Sequence, residues 1–249
     1  MSSTARRSTA PLIAVSVVVV VLLVAVIGGE LFVRQQIKSC LAGQLESELG
    51  SQVEVGLGLK PVLLSLVDKK VSSVTVDSDD ARFGPAEGMV VHAEARDLNL
   101  TQTADSGGTI GSSSADISWS TDGITRTLQS QGIGAIVSGV TSDASAGTLD
   151  FAVGALANLT VKPQVADGRV DFQTVDASIL GLGIPTDLVD SVVGVLTDSL
   201  QAYPLDMAPT SLTVTDSGIE LTLEGGQYTI PVTQQDQNQP TPEGCSLVA

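Results

Sequence analysis

Few residues in this sequence are suited to chemistry. The one histidine, His92, stands two positions before Glu94 in an alternating run, and a His-x-Glu pair on one strand face could supply a base and the group that orients it. The same alternation accounts for the two as a solvated surface pair, because a strand exposes every second residue. With His92 placed there, no Ser-His-Asp triad can be assembled, and no G-x-S-x-G elbow is present. Gly132-Ile133-Gly134 and Gly181-Leu182-Gly183 are too short to be phosphate loops. Asp79-Asp80 reads as a solvated turn before it reads as a metal site. The two cysteines, Cys40 and Cys245, have no further Cys or His at zinc-ligand spacing. In an oxidising compartment they read as a disulfide that pins the tail to the first helix, and closing so long a loop could stabilise the fold by about 5 kcal/mol. Two free thiols are the alternative. The sequence thus predicts no catalytic residue, no cofactor and no metal.

The stronger signals are apolar. Residues 12 to 29 carry no charge, and Arg6 and Arg7 precede them with no acidic residue between. As a helix this run is roughly 27 Å long, close to the hydrocarbon thickness of a thin bilayer. Basic residues stay on the cytoplasmic side, so the expected arrangement is a single-pass plasma-membrane anchor. It has a cytoplasmic N-terminus at 1–11, a transmembrane segment at 12–29 and everything after it outside the cytoplasm. A cleavable signal peptide is the competing reading, although its apolar core would be shorter, about 7 to 15 residues, and Val26-Ile27-Gly28 is a weak cleavage site.

Composition narrows the exported part. Apolar residues make up 43% of the chain but aromatics only 3%, so aliphatic side chains do the burying, as in a β-rich domain with extended interior surfaces. A formal charge of -16 excludes nucleic acid as a partner and adsorption to anionic lipid by charge alone.

The elements expected to position these residues follow from periodicity. Ile37, Leu41, Leu45 and Leu49 mark an amphipathic helix leaving the membrane. Strands are predicted around 53–59, 71–77 and 89–101, with a bulge and bend at Arg96-Asp97, where the alternation changes phase. A strand from 107 to Trp119 precedes a helix over Ile124 to Val140, on the spacing of Ile124, Leu128, Ile136, Val137 and Val140. Strands near 148–153, 159–165 and 170–175 follow, the last two joined by the hairpin signal Asp167-Gly168. A helix over 187–200 and a final meander around Asp216-Ser217-Gly218 complete the domain at 30–232, and 233–249 is a polar C-terminal tail. The fold class is α+β: curved antiparallel sheets packed with amphipathic helices around an elongated apolar groove.

One segment departs from this pattern. Lys60-Pro61-Val62-Leu63-Leu64-Ser65-Leu66-Val67, followed by Asp68-Lys69-Lys70, puts leucines where a polar turn is expected. Six of the ten basic residues beyond the anchor fall between Arg34 and Arg82, on an otherwise acidic molecule. Leucines entering a bilayer or a lipid groove, with lysines near phosphates, fit this pattern. So does a short core helix with solvated ends. A second uncharged stretch, 177–185, leads into the helix at 187–200, and its aliphatic content suits acyl chains.

The order of anchor, amphipathic helix, Val53-Glu54-Val55, Pro61-Val62-Leu63-Leu64, Val74-Thr75-Val76, Leu212-Thr213-Val214 and Gly218-Ile219-Glu220-Leu221 resembles the LmeA family of phospholipid-binding envelope proteins over roughly 34–232. In that family the proline is commonly followed by an aromatic, where this chain has Val62. The resemblance implies a cell-envelope setting, an elongated lipid-binding fold and a role in envelope lipid maintenance; it assigns no catalytic residue, and the residues themselves point to none. The expected function is therefore a non-enzymatic, membrane-anchored phospholipid carrier or sensor. Leu63, Leu64, Leu66, Leu180, Leu182, Ile184, Val192 and Leu196 are expected to line its groove, and Lys60, Lys69 and Lys70 to meet the headgroup. The alternative is a module that docks an envelope protein partner and has no physiological lipid ligand.

Overall fold

The computed structural model describes residues 10–49, 51–83, 86–133, 137–154, 157–179, 182–183, 186–200 and 203–232, without the side chains of 10–22 and of a few positions beside the gaps. The chain opens with α1 (Ala10–Leu49), so the apolar run and the amphipathic stretch that follows it form one unbroken helix of about 60 Å. Among the described residues no helix is long and apolar enough to cross a membrane. Most of the apolar run lies on residues whose side chains are outside the description, and the described remainder of α1 carries charge from Glu30 onward.

After α1 come β1 (Glu54–Leu57), α2 (Val62–Asp68), β2 (Lys70–Phe83), β3 (Ala86–Asn99), β4 (Gly108–Ile110) and β5 (Ser112–Ser120). Then α3 (Thr121–Ser130) leads to a meander of β6 (Val137–Asp143), β7 (Thr148–Val153), β8 (Ala157–Ala166), β9 (Arg169–Ile179) and β10 (Leu182–Gly183). The last elements are α4 (Thr186–Ser199), a single 3-10 turn at Pro204–Asp206, β11 (Ala208–Thr215), β12 (Gly218–Gly225) and β13 (Tyr228–Ile230).

The strands form two antiparallel sheets, neither of which closes on itself among the described residues. The larger runs β1-β2-β3-β5-β12-β11, with β4 bridging β3 and β13; the smaller runs β10-β9-β8-β7-β6. A single buried cluster joins Met89, Trp119 and Leu221 of the larger sheet to Leu149, Phe151 and Leu159 of the smaller. Ile124 and Leu128 of α3 and Val192 and Leu196 of α4 belong to it as well. Aliphatic residues fill this core, and its one indole is satisfied by donating Nε1–H to the carbonyl of Glu87 at 3.0 Å.

Local chemistry explains most of the boundaries. Asp167 (φ 51°) and Gly168 (φ 71°) both occupy the left-handed region, as a two-residue type I′ hairpin between β8 and β9 requires. Ser120 caps α3 by accepting the N–H of Gly123 at 3.0 Å.

Two expectations are corrected. The helix expected over Ile124 to Val140 ends at Ser130, because Gly132 turns left-handed (φ 81°) and stops it. Val137 and Val140 lie instead on β6, where a register shift between Val137 and Gly139 changes the strand's phase and turns both residues inward. A spacing of three thus imitates a helix. Asp79-Asp80 is not a turn: β2 continues to Phe83, and a register shift between Ser78 and Ala81 absorbs the irregularity. The phase break at Arg96-Asp97 falls on left-handed Asp97 (φ 54°), beside the interruption at residue 111 between β4 and β5.

Candidate functional site

The histidine pair is the least promising site. On the outer face of the larger sheet, His92 Nδ1 lies 2.5 Å from Asp77 Oδ1, its cross-strand neighbour on β2, with both side chains about half exposed. The Asp77 hydrogen bond holds the imidazole pKa above its ordinary value, with further help from the charges of Asp116 and Glu94. Glu94 is bonded to Arg96 at 2.6 Å. Base and orienter are therefore each committed to a different partner. Among the described residues no group of three His, Cys, Asp or Glu side chains could hold a metal ion.

The apolar residues converge. Between α1, α2 and one end of the larger sheet lies a cleft of about 380 Å³, within the usual range for small-molecule sites. Ile37 and Leu41, one turn apart on α1, form one wall, and Val62, Ser65 and Leu66 of α2 form another. The floor follows from strand register. Leu57, Val74 and Ala95 are cross-strand neighbours in one row over β1, β2 and β3, and Val71 and Leu98 are neighbours in a second row. Along both β2 and β3 these residues are three apart, which on a regular strand would send them to opposite faces. Left-handed Asp97 changes the phase of β3 at this point, and both rows line the same cleft. The sequence shows the phase break; only the paired register shows that it extends the apolar floor.

The same face of β3 continues deeper. Ala93, two residues before Ala95, lines a small cavity of about 50 Å³ with Met89, Val91, Leu200 and Tyr203. Tyr203 accepts the N–H of Val170 at 3.3 Å, and burial raises its phenol pKa. One apolar strand face thus lies under both hollows.

Segment 60–68 resolves into the short helix α2. Pro61 sits just before it (φ -55°, ψ 129°), where a missing N–H costs nothing, and left-handed Lys69 (φ 55°) follows its end. No side chain of its own caps the helix; the carboxylate of Glu30 does, accepting Val62 N–H at 2.5 Å and Leu63 N–H at 2.9 Å. Those two bonds, Leu63 first and Val62 second, lower the Glu30 pKa from its ordinary value. One turn further along α1, Arg34 donates to the carbonyls of Leu57 and Gly58. Glu30 and Arg34 therefore fasten α2 and the end of β1 to α1.

The expected site residues divide as follows. Leu66 lines the cleft and is 55% exposed; Leu64 points outward at 52% exposure, and Leu63 is half-buried beside Glu30. Val192 and Leu196 are fully buried in the central core and do not line the cleft. Leu180 and Ile184 lie outside the described residues, as does the side chain of Leu182. Lys60 lines the cleft, donating to Asp68 at 2.6 Å and to the carbonyl of Lys70 at 2.8 Å. That ammonium lowers the Asp68 pKa and leaves Lys60 one unused proton of three. Lys69 and Lys70 are exposed. Cys40 is buried on α1 and no described cysteine is free, while Cys245 lies outside the described residues. Sequence reasoning missed Ile37, Leu41, Leu57, Val71, Val74, Ala95 and Leu98. The four-residue repeat on α1 was the one signal that could have found part of the wall.

A sequence model described as LmeA-like phospholipid-binding matches residues 24–224. The chain is also 31% identical over 221 residues to the uncharacterized proteins Mb0489c of Mycobacterium bovis and Rv0479c of Mycobacterium tuberculosis, a match covering 86% of this chain and 63% of each relative. It thus spans somewhat less than two thirds of the length of those relatives. No solved structure matches.

Proposed function

Since the chain belongs to the LmeA-like phospholipid-binding family, we propose that it is a non-enzymatic phospholipid-binding protein that holds acyl chain in the cleft between α1, α2 and the end of the larger sheet. The observation that carries this reading is the cleft itself: an apolar floor and walls, with Lys60 the one charged residue in its lining. A chain bound there would lie along Val74 and Ala95, with its headgroup near Lys60, Lys69 and Lys70. Binding needs no chemical step. Each methylene removed from water contributes about 0.8 kcal/mol, and a cleft that shields several of them lowers the cost of lifting a lipid from a bilayer.

In this reading residues 12–29 anchor the chain in the plasma membrane, with Arg6 and Arg7 inside and the sheets outside the cytoplasm. The protein then serves as a carrier or sensor of envelope phospholipid. A disulfide between Cys40 and Cys245 would tie the C-terminal tail to the wall of the site.

The test is photo-crosslinking of the full chain, reconstituted in vesicles containing a phospholipid with a diazirine in its acyl chain. Adducts on the peptides carrying Ile37, Leu41, Val71 and Val74, lost in an Ala95→Trp variant that fills the cleft, support the proposal. Adducts confined to residues before Glu30 overturn it.

A further inference from the structure

Four large apolar side chains stand exposed beside the mouth of the cleft. Leu59 is 99% exposed, Val67 82%, Leu66 55% and Leu64 52%, and all lie on α2 or the turn leading into it. Such a cluster is costly in water and marks a surface that meets an apolar partner. Where it sits indicates which partner. The carboxylate that caps α2 belongs to Glu30, the first residue beyond the uncharged run 12–29, so α2 is fastened to α1 at the point where that run ends. One turn later Arg34 fastens the end of β1, just before the turn at Leu59, to the same helix. On a chain of net charge -16, the residues directly after α2 are Lys69 and Lys70, both exposed.

We infer that α2 and the turn at Leu59 form a wedge that sinks into the interface of the bilayer in which α1 is anchored, with Leu59, Leu64 and Val67 in the acyl region and Lys69 and Lys70 at anionic headgroups. This rests on the anchor reading of 12–29. Leu66 belongs both to the exposed cluster and to the lining of the cleft, so the wedge puts the mouth of the cleft within the leaflet. A lipid enters sideways, without its chains crossing water. Apolar residues at interface depth with lysines at headgroup level are the arrangement an interfacial helix adopts.

The experiment uses the full chain in vesicles of phosphatidylcholine and phosphatidylglycerol, with and without brominated acyl chains as fluorescence quenchers. A tryptophan is placed by Val67→Trp or, on the smaller sheet, by Val175→Trp, a position that is also exposed, at 59%. The native Trp119 is 1% exposed and supplies a background measured in the parent chain. Quenching at residue 67 at least twofold stronger than at residue 175 supports the wedge. Equal quenching in a chain that floats with the vesicles overturns it and leaves the anchor standing. A chain that does not float overturns both. Lipid occupancy of the cleft is read separately, by crosslinking, so loss of the wedge and loss of the binding site give different results.

Discussion

The Glu30 carboxylate accepts the backbone N–H of Val62 at 2.5 Å across 32 positions of sequence, so the N-terminus of α2 is capped by another helix. A carboxylate at a helix N-terminus satisfies orphan donors and complements the dipole. Glu30→Ala leaves both N–H groups without a protein acceptor and should cost about 2 kcal/mol in the attachment of α2, the scale of a charge-assisted hydrogen bond. Amide hydrogen exchange over 62–68 should accelerate while exchange in β7 and β8 stays unchanged. Equal protection in variant and parent would contradict this role.

That contact also sets an acid dependence. Because the folded-state pKa of Glu30 lies below its ordinary value of 4.5, the contact is fully stabilising above that value. It is lost as pH falls through the folded-state pKa. Exchange at 62–68 should rise in acid before the core opens, and Glu30→Gln should remove this early phase.

His92 behaves in the opposite sense. Asp77 raises its pKa above the ordinary 6.5, so the pair stabilises the fold fully below 6.5 and loses that contribution as pH rises through the folded-state value. An NMR titration of the single histidine should give a midpoint above 6.5, and Asp77→Asn should bring it down. Lipid binding should be unaffected by His92→Ala; its loss would restore that residue to the functional site.

Core and cleft residues should separate in one pair of measurements. Leu196 is fully buried, and Leu196→Ala should cost about 2 to 5 kcal/mol in unfolding free energy. Leu66→Ser, at a half-open position, should cost far less stability but reduce acyl crosslinking. Lys69→Glu with Lys70→Glu should weaken association with anionic lipid, whereas Lys60→Glu should also disturb α2, because Lys60 is bonded to Asp68. Comparable stability loss in the Leu196 and Leu66 variants would merge the two sites.

The pairing of the cysteines is checked by mass analysis without reductant. A peptide carrying Cys40 should be recovered joined to one carrying Cys245. Two separately alkylated thiols would leave the tail unattached.

How much of this was legible in the sequence depended on the range of the interaction involved. The Asp167-Gly168 hairpin and the helix ending at Ser199 were readable because their signals are local: a left-handed dipeptide, and an apolar stripe bounded by Pro185 and Pro204. The β6 strand was misread because a bulge gave Val137 and Val140 the spacing of a helix face. The family resemblance was readable because its motifs survive in order, and the family match bears it out. The cleft was only half legible. Its floor depends on which residues of β1, β2 and β3 oppose one another, and its α2 wall depends on a cap 32 residues away. Val192 and Leu196 sit on a stripe that could equally have faced a groove or a core, and neighbours from both sheets made it core.

The unbroken course of α1 has a mechanical consequence. One rigid rod carries the apolar run at one end and a wall of the cleft, through Ile37 and Leu41, toward the other. From Glu30 to Leu49 it extends about 29 Å, so leaning it by about 10° displaces its far end by about 5 Å. Because α1 runs unbroken from Glu30 to Leu49, a tilt at its Glu30 end is carried to Leu41, so the orientation of this one helix sets the gap between Leu41 and the sheet and with it the width of the cleft.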